Sequence, residues 1–589
     1  MKRYRGVIIN LVTLCCLAIG SYVWATALQR SWLAYRSPLL EVSVPLGEPL
    51  PAQTQRVVLV IVSGISYQGL RANEMPTWKA LQDSGASALV QTRSPSNWPA
   101  AWNTLLTGAW PALNGAALLA EEDGSEEVPV GLDHIIAAAR EAGLQVALAG
   151  SVAWGQVLPA GEGITTFYAV GGDAIADGQV TQAALEFLAD PRYRLILVQL
   201  DQLRTVGQRQ GTTSLAYAAA ARQIDSHLRQ ITRQMDLKRE VLIVTSDMAL
   251  LPNGQPAGSD INPPGLAVTL AGEGVVAGDF DPIQQVDLAP SVALMLGTRL
   301  PAQSYGRPLF DMLRLDTEEV VVTYLRLAVQ RAALADAYVR AIGREGLSET
   351  VRQDVAAARR AFDRGNKSGA LQMAQLVIEE SEAEATAAAG ARVAAERWPR
   401  LVVMLMGIGL PVLVFWVRRL ARALLLSSTA SLAVAIWYAL YWTTGNDLSL
   451  TWQHMPQSLV GQLLWQVGVG LGVGGSLVTI SLLYRESGRL RWRAALAAGY
   501  DYGVVAVYVC ALPVLVIYWW QGGVLDWYVP DLRLAVWQGV ALAQVTVAAG
   551  LSVCLPWLMG LVVWTVDRWQ ARSQPPSVPK RDRLAHLRR

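Results

Sequence analysis

Histidine is the scarcest reactive residue in this 589-residue chain, with four in all. Only His134 and His227 precede residue 411, and none falls between 228 and 453. Borderline-soft Zn²⁺ favours nitrogen and sulfur ligands, so that stretch excludes a multi-imidazole metal centre. Cysteine is equally sparse. Cys15, Cys16, Cys510 and Cys554 all lie inside apolar runs, which excludes a disulfide framework, a CxxC pair and a zinc knuckle. Charged residues make up 16% of the chain, against about 25% in an average soluble protein, so part of it belongs in lipid. Net charge is +2. No basic patch interleaved with aromatics stands outside the membrane flanks, and nucleic acid is excluded as a partner.

What the chain has instead is long apolar runs. Ile8 to Leu28 follows Lys2, Arg3 and Arg5 and predicts a membrane anchor over 1–28 with its N-terminus inside. Ala25-Thr26-Ala27 leaves a signal-peptidase site open as the alternative. Five more spans are expected at roughly 401–417, 424–442, 459–483, 502–520 and 534–566, each near or beyond the ~17–25 residues that cross a bilayer. Arg418, Arg419 and Arg422 fall in one short loop, and Arg485, Arg489, Arg491 and Arg493 in another. Further Lys and Arg crowd the tail 568–589, while the alternate loops 443–458 and 521–533 carry almost none. This asymmetry predicts six spans in the plasma (inner) membrane, both termini cytoplasmic and residues 29–400 extracytoplasmic. No Asp, Glu, Lys, Arg or His stands inside the five later spans as drawn, which disfavours an ion pump or coupled transporter. The glycine pairs 468/472 and 470/474 give one span a small-residue packing face, and Trp416, Trp442, Trp519, Trp520 and Trp564 suit an interfacial belt.

Between anchor and bundle, residues 29–54 read as a Pro-punctuated juxtamembrane linker. The runs 56–62, 145–150, 194–200, 240–246 and 265–272 are continuously aliphatic, as strands buried on both faces are. Helical patterns at 76–84, 131–142, 213–235 and 287–296 alternate with them. The expected domain, 55–315, is α/β, a mostly parallel sheet sandwiched by helices. Its functional residues belong at the carboxyl ends of the strands, here Ser63-Gly64, Asp201-Gln202 and Ser246-Asp247-Met248. Ala, Glu and Arg then rise over 316–399, a helical stalk leading into the membrane domain 400–567.

Several strings, in order, resemble the alkaline phosphatase superfamily, above all its type I phosphodiesterase, sulfatase-like and phosphoethanolamine-transferase branches. They are VVLVIVSG (57–64), Met75-Pro76-Thr77, PSNWPAAWNTLLTG (95–108), VQLDQLRTVGQRQG (198–211), VTSDM (244–248), VDLAP (286–290) and GRPL (306–309). The resemblance implies an alkaline phosphatase-like fold and two metal ions holding a phosphate beside a hydroxyl nucleophile. Carried over residue by residue, it also implies degeneration. Ser63 stands where the first aspartate ligand is expected, and Asn97, or Ser96 if the register slips by one, stands at the nucleophile. Arg204 replaces the second aspartate, Gln208 its histidine, Met248 the next histidine and Gln255 the last. Asp247 is retained. Asp201 is a second weak metal candidate, though such an aspartate also caps turns.

Arg204 carries a fixed charge and cannot ligate a cation. It is a candidate anion clamp or the partner of Asp201 or Asp247. Asp225 and Asp287 fall at positions where the resemblance implies structural roles, and both early histidines read as structural. The expectation is an envelope protein that has lost metal catalysis and binds or assembles, with no cofactor. Its partners would be the bilayer and a lipid head group or an envelope protein. The alternative is an active phosphodiesterase or phosphoethanolamine-type transferase on lipid-linked substrates, using zinc or manganese. A third reading makes the outward domain a spacer of a structural or translocation-related membrane protein.

Overall fold

The computed structural model describes residues 2–94, 97–114, 130–158, 163–255, 264–417, 423–444, 456–485, 491–529 and 531–573. Ser96, the loop arginines Arg418, Arg419, Arg422 and Arg489, and the tail beyond 573 lie outside the described residues.

The aliphatic runs form the centre of one sheet. Strands β1 (Arg56–Val62), β2 (Ala86–Gln91), β3 (Gln145–Ser151), β4 (Thr165–Ala169), β5 (Tyr193–Leu200), β6 (Glu240–Thr245), β7 (Leu266–Gly272), β8 (Gly278–Asp279) and β9 (Ile283–Gln284) appear in that chain order. In space they run β4-β3-β5-β1-β6-β7-β2-β8, with β9 also on β2. All seven residues of β1 are buried, because helices cover both faces. One apolar layer gathers Val57, Leu59 and Ile61 against the helices Trp98–Thr107 and Leu288–Leu296. The other gathers Val58, Val60 and Val62 against Ala174–Ala189 and Leu215–Gln234.

The sheet is mostly parallel, as expected, but β7 runs antiparallel to both β6 and β2. Strand β2 was not expected, since ASALVQ mixes small and polar residues. Gly85 before it lets the chain pass where a Cβ would stand 2.1 Å from the Leu270 carbonyl oxygen. The Ala-rich helix Ala174–Ala189 also escaped the periodicity, because alanine gives a helix little apolar contrast between faces.

The stalk and the membrane part join without a break. Helices Thr317–Ala341 and Glu349–Asp363 lie against a third, Lys367–Val417, of 51 residues. At 1.5 Å per residue that helix is about 76 Å long. The expected boundary at 399/400 therefore falls inside one helix, which carries Pro399 and Pro411 in its interior.

Five helices among the described residues are long and apolar enough to cross a membrane: Arg5–Trp32, Ala423–Thr443, Val460–Tyr484, Arg491–Gln521 and Arg533–Gln570. This is a multi-pass membrane protein. The expected span 401–417 is not one of the five. It is the end of the long helix, its side chains are described only to residue 413, and Val402, Leu405, Leu410 and Leu413 on it are exposed. Tyr508 donates to its Ile408 carbonyl at 2.9 Å, which holds it to the bundle.

Two further expectations need correction. The span expected at 502–520 belongs to a helix that begins at Arg491, so it contains an ionisable residue, Asp501. Asn10 of the anchor helix Lys2–Leu33 donates to Asp501 Oδ1 at 2.7 Å. Of the two glycine pairs, 470/474 is the one in close contact. Added Cβ atoms there would meet the Ala433 and Thr429 carbonyls, while Gly472 faces open space.

The Asn10–Asp501 bond gives a prediction. A hydrogen bond to a charged group contributes about 1.5–3 kcal/mol, so Asn10→Leu lowers the unfolding temperature of the full chain in detergent. Asp501→Leu does the same, and the double variant loses clearly less than the sum of the two. Strict additivity in this double-mutant cycle would show that the bond does not couple the anchor to the bundle.

Candidate functional site

The register of three parallel strands builds the candidate site. β1 pairs β5 with Val62 opposite Leu200, and pairs β6 with Ile61 opposite Thr245. Continuing both registers sets Ser63 beside Asp201, one residue past Leu200, and Asp247, two residues past Thr245, so the three meet at one edge. All three are buried. Gly64 has φ +89°, and a Cβ on it would lie 2.6 Å from Arg204 Cα. Glycine there lets the helix Gln202–Gln210 sit directly on the end of β1.

Each carboxylate at this edge is bonded to groups of the chain itself. Ser63 Oγ and Trp102 Nε1 both donate to Asp247 Oδ2 at 2.8 Å. The Met248 amide donates to Oδ1 at 2.7 Å. Gln285 Nε2 reaches the Asp247 carbonyl at 2.8 Å. Arg204 lays its fork on Asp201, Nε to Oδ1 at 2.7 Å and Nη2 to Oδ2 at 2.6 Å. Gln199 Nε2 bridges the two halves, donating to Ser63 Oγ and to Asp201 Oδ1, both at 3.0 Å.

Trp102 deserves a physical account. It lies on the helix Trp98–Thr107, one turn after Trp98, and the rings of the pair are 4.9 Å apart. On its other side it stacks flat on Trp154 at 4.1 Å. Aromatic pairs of this kind add about 0.5–1.5 kcal/mol beyond area burial. The stack fixes the indole N–H on Asp247, and with Ser63 and Met248 it supplies three donors to a fully buried carboxylate. Burial pushes the Asp247 carboxyl up, while the Ser63 and Trp102 donors pull the other way.

The remaining expected positions are placed as follows. Asn97 caps the helix Trp98–Thr107, its side chain accepting from the Ala100 amide at 3.0 Å. Gln208 Oε1 accepts from Arg204 Nη1 at 3.4 Å. Met248 is buried beside Asp247. Gln255 stays in its own loop, its backbone bonded to Leu251 and Asn253, and the structure does not bring it to the edge. Arg204 turns inward onto Asp201, so its fork is not aimed at an outside anion. Asp201 does not cap its helix through its side chain. That role falls to Asp177, which accepts the Asp201 and Gln202 amides at 2.9 and 3.0 Å.

The structural aspartates are equally specific. Asp225 accepts the Thr77 and Trp78 amides at the start of the helix Pro76–Ser84. Asp287 accepts those of Gln284 and Arg307. His134 Nδ1 caps the helix Ile135–Glu141, and His227 Nδ1 bonds the Thr181 hydroxyl at 3.0 Å.

Sequence reasoning missed Trp102, Gln199 and Asp177. Gln199 was legible as a polar residue within the aliphatic run 194–200, two positions before Asp201. Trp102 was legible only as the second tryptophan of the helix Trp98–Thr107.

Comparison with known proteins places this edge in a wider setting. Residues 57–254 match the family model for type I phosphodiesterase / nucleotide pyrophosphatase. No curated protein sequence matches the chain. Among solved structures, wild-type alkaline phosphatase PafA is 10% identical, over 45% of this chain and 99% of that one, at a TM-score of 0.36. A putative sulfatase from Bacteroides thetaiotaomicron VPI-5482 is 10% identical over 44% and 75% at 0.37. Phosphonate monoester hydrolase SpPMH from Silicibacter pomeroyi is 12% identical over 44% and 76% at 0.33.

A pH dependence follows from Asp177. Burial, with the neighbouring Asp201 and Asp173 charges adding to it against two amide donors, raises its carboxyl from 3.8 to about 7. A carboxyl raised in the fold favours the folded state below its unfolded value and loses that advantage as pH rises through about 7, at most about 4 kcal/mol here. Stability of the full chain should fall between pH 4 and pH 8, and Asp177→Asn should flatten that slope. Equal slopes in thermal unfolding of the two proteins would remove Asp177 from the account.

Proposed function

We propose that this chain, which carries an alkaline phosphatase superfamily domain on a multi-pass membrane protein, uses that domain to bind or assemble rather than to turn over phosphate esters. One observation carries the reading: each of the two carboxylates at the strand ends accepts three hydrogen bonds from side chains and backbone of the chain itself. Two metal ions at such a site would need those oxygens as ligands. Here Asp247 faces an indole N–H and a hydroxyl, and Asp201 faces a guanidinium. A fixed positive charge 2.6 Å from the carboxylate repels a second cation. The donor set does not fit a metal pair. Among the described residues no cluster of three or more His, Cys, Asp or Glu could hold a metal.

In this reading the chain lies in the plasma membrane with both termini cytoplasmic and residues 29–400 outside. The Lys/Arg bias of the loops supports that orientation, provided that 401–417 crosses as a sixth span. The match over 57–254 to a type I phosphodiesterase / nucleotide pyrophosphatase model favours the second reading, an active phosphodiesterase.

The full chain purified in detergent, after exposure to zinc and manganese, should carry near-zero metal by elemental mass spectrometry. It should not hydrolyse a bis-aryl phosphodiester. One or two tightly held ions per chain, or turnover that disappears in Asp247→Ala, would hand the lead to the enzyme reading. Orientation has its own check. A cysteine at Leu215, which is 90% exposed, should react with a membrane-impermeant maleimide in intact cells, and labelling only after lysis would reverse the topology.

A further inference from the structure

A cavity of about 630 Å³ opens where the sheet domain, the stalk, the segment after the anchor and the loop before the last helix meet. Arg331, on the helix Thr317–Ala341, forms part of its wall and is only 3% exposed. Its Nη2 donates to the Gly306 carbonyl at 3.0 Å, and the Tyr305 ring lies 5.1 Å from Cζ. Nε and Nη1 are buried and make no hydrogen bond among the described residues. The nearest carboxylate, Glu382, stands 3.6 Å from Nε and is itself 46% exposed. A guanidinium keeps its charge and offers five donors in a fixed fork. Buried donors of native proteins are nearly always bonded, so an interior guanidinium with two unbonded nitrogens points to an acceptor from outside the chain.

The rest of the wall says which acceptor. Arg93, on the open side, lies 4.2 Å above the Trp110 ring. Glu382 is the sole carboxylate among the described lining residues, so among them two permanent cations face one anion. Trp527 and Tyr528 close the side toward the bundle. The Trp527 indole donates at 2.8 Å to Glu396, five residues before the apolar end of the long helix begins at Leu401. Arg397 lies 3.6 Å over Trp520 in the same belt. Paired arginines recognise phosphate oxygens bidentately, and basic pockets between helices at a membrane face take anionic head groups.

We propose that this cavity binds the phosphate of an anionic amphiphile, held by Arg331 and Arg93, with the apolar chains leaving past Trp527 and Tyr528 toward the membrane bundle. The site is separate from the Asp247 edge and stands whether or not that edge is catalytic. Glu382 sets its affinity by competing for both guanidiniums.

The test is calorimetric titration of the full chain in detergent with dioctanoyl phosphatidic acid, dioctanoyl phosphatidylcholine and inorganic phosphate. Saturable binding of phosphatidic acid at one per chain is expected, with much weaker binding of phosphatidylcholine. Arg93→Gln should weaken it about tenfold, the scale of one lost charged contact. Glu382→Gln should tighten it several-fold, a gain that misfolding cannot mimic. Trp527→Ala should weaken the lipid and leave inorganic phosphate unchanged. Inorganic phosphate binding as tightly as the lipid would overturn the lipid source and leave a soluble phosphate ester as the ligand. No saturable binding, or affinities unmoved in both Arg93→Gln and Glu382→Gln, would overturn the site.

Discussion

The buried carboxylate of Asp247 is the constraint on which the sheet domain's edge depends. A charge fully removed from water is tolerated only when paired or well supplied with donors. Asp247 takes its donors from three separate elements: Ser63 at the end of β1, Trp102 on the helix that crosses the sheet, and its own following amide. Removing one such donor from a buried charge costs about 1.5–3 kcal/mol. The carboxylate therefore pins strand, helix and loop together, and the Trp98–Trp102–Trp154 stack pins the donor in turn.

The second organising element is mechanical. The long helix Lys367–Val417 begins against the stalk and ends beside the bundle. Glu396 on it accepts from Arg392 at 3.2 Å, Arg400 at 2.6 Å and Trp527 at 2.8 Å. The anchor joins the same assembly, Trp24 donating to the Gly523 carbonyl at 2.7 Å and Tyr35 to the Ala112 carbonyl at 2.8 Å. Sheet domain and bundle are thus connected by a rigid element and by polar ties on either side of it, and the Arg331 cavity lies between those ties.

How much of this was legible follows the strength of the signals. Strands β1, β3, β5, β6 and β7 are aliphatic runs buried on two faces, and such runs leave a clear mark. β2, β4 and the helix Ala174–Ala189 are short, mixed or alanine-rich and leave little. The positions of Ser63, Asp201 and Asp247 were readable because strand ends in a parallel sheet converge by topology. What closes over them was not. Trp102 reaches Asp247 across 145 residues of sequence, and no local pattern encodes which face of a helix will meet a distant strand end. The same limit hid Asp501, where the helix began earlier than the apolar run alone implied.

The polar residues at the strand-end edge are coupled to one another. The Arg204 guanidinium has Asp201 for its fork and Gln208 for its remaining nitrogen. Ser63 supplies a hydroxyl donor to Asp247, which is what a carboxylate fully removed from water requires. Gln199 satisfies both neighbourhoods with one amide, and its oxygen is taken by the Ser151 amide at 2.9 Å. A second carboxylate, introduced by Ser63→Asp, would face Asp247 directly, and like charges that close cannot both stay ionised. Each polar residue of the edge thus meets a charge or hydrogen-bond demand of another.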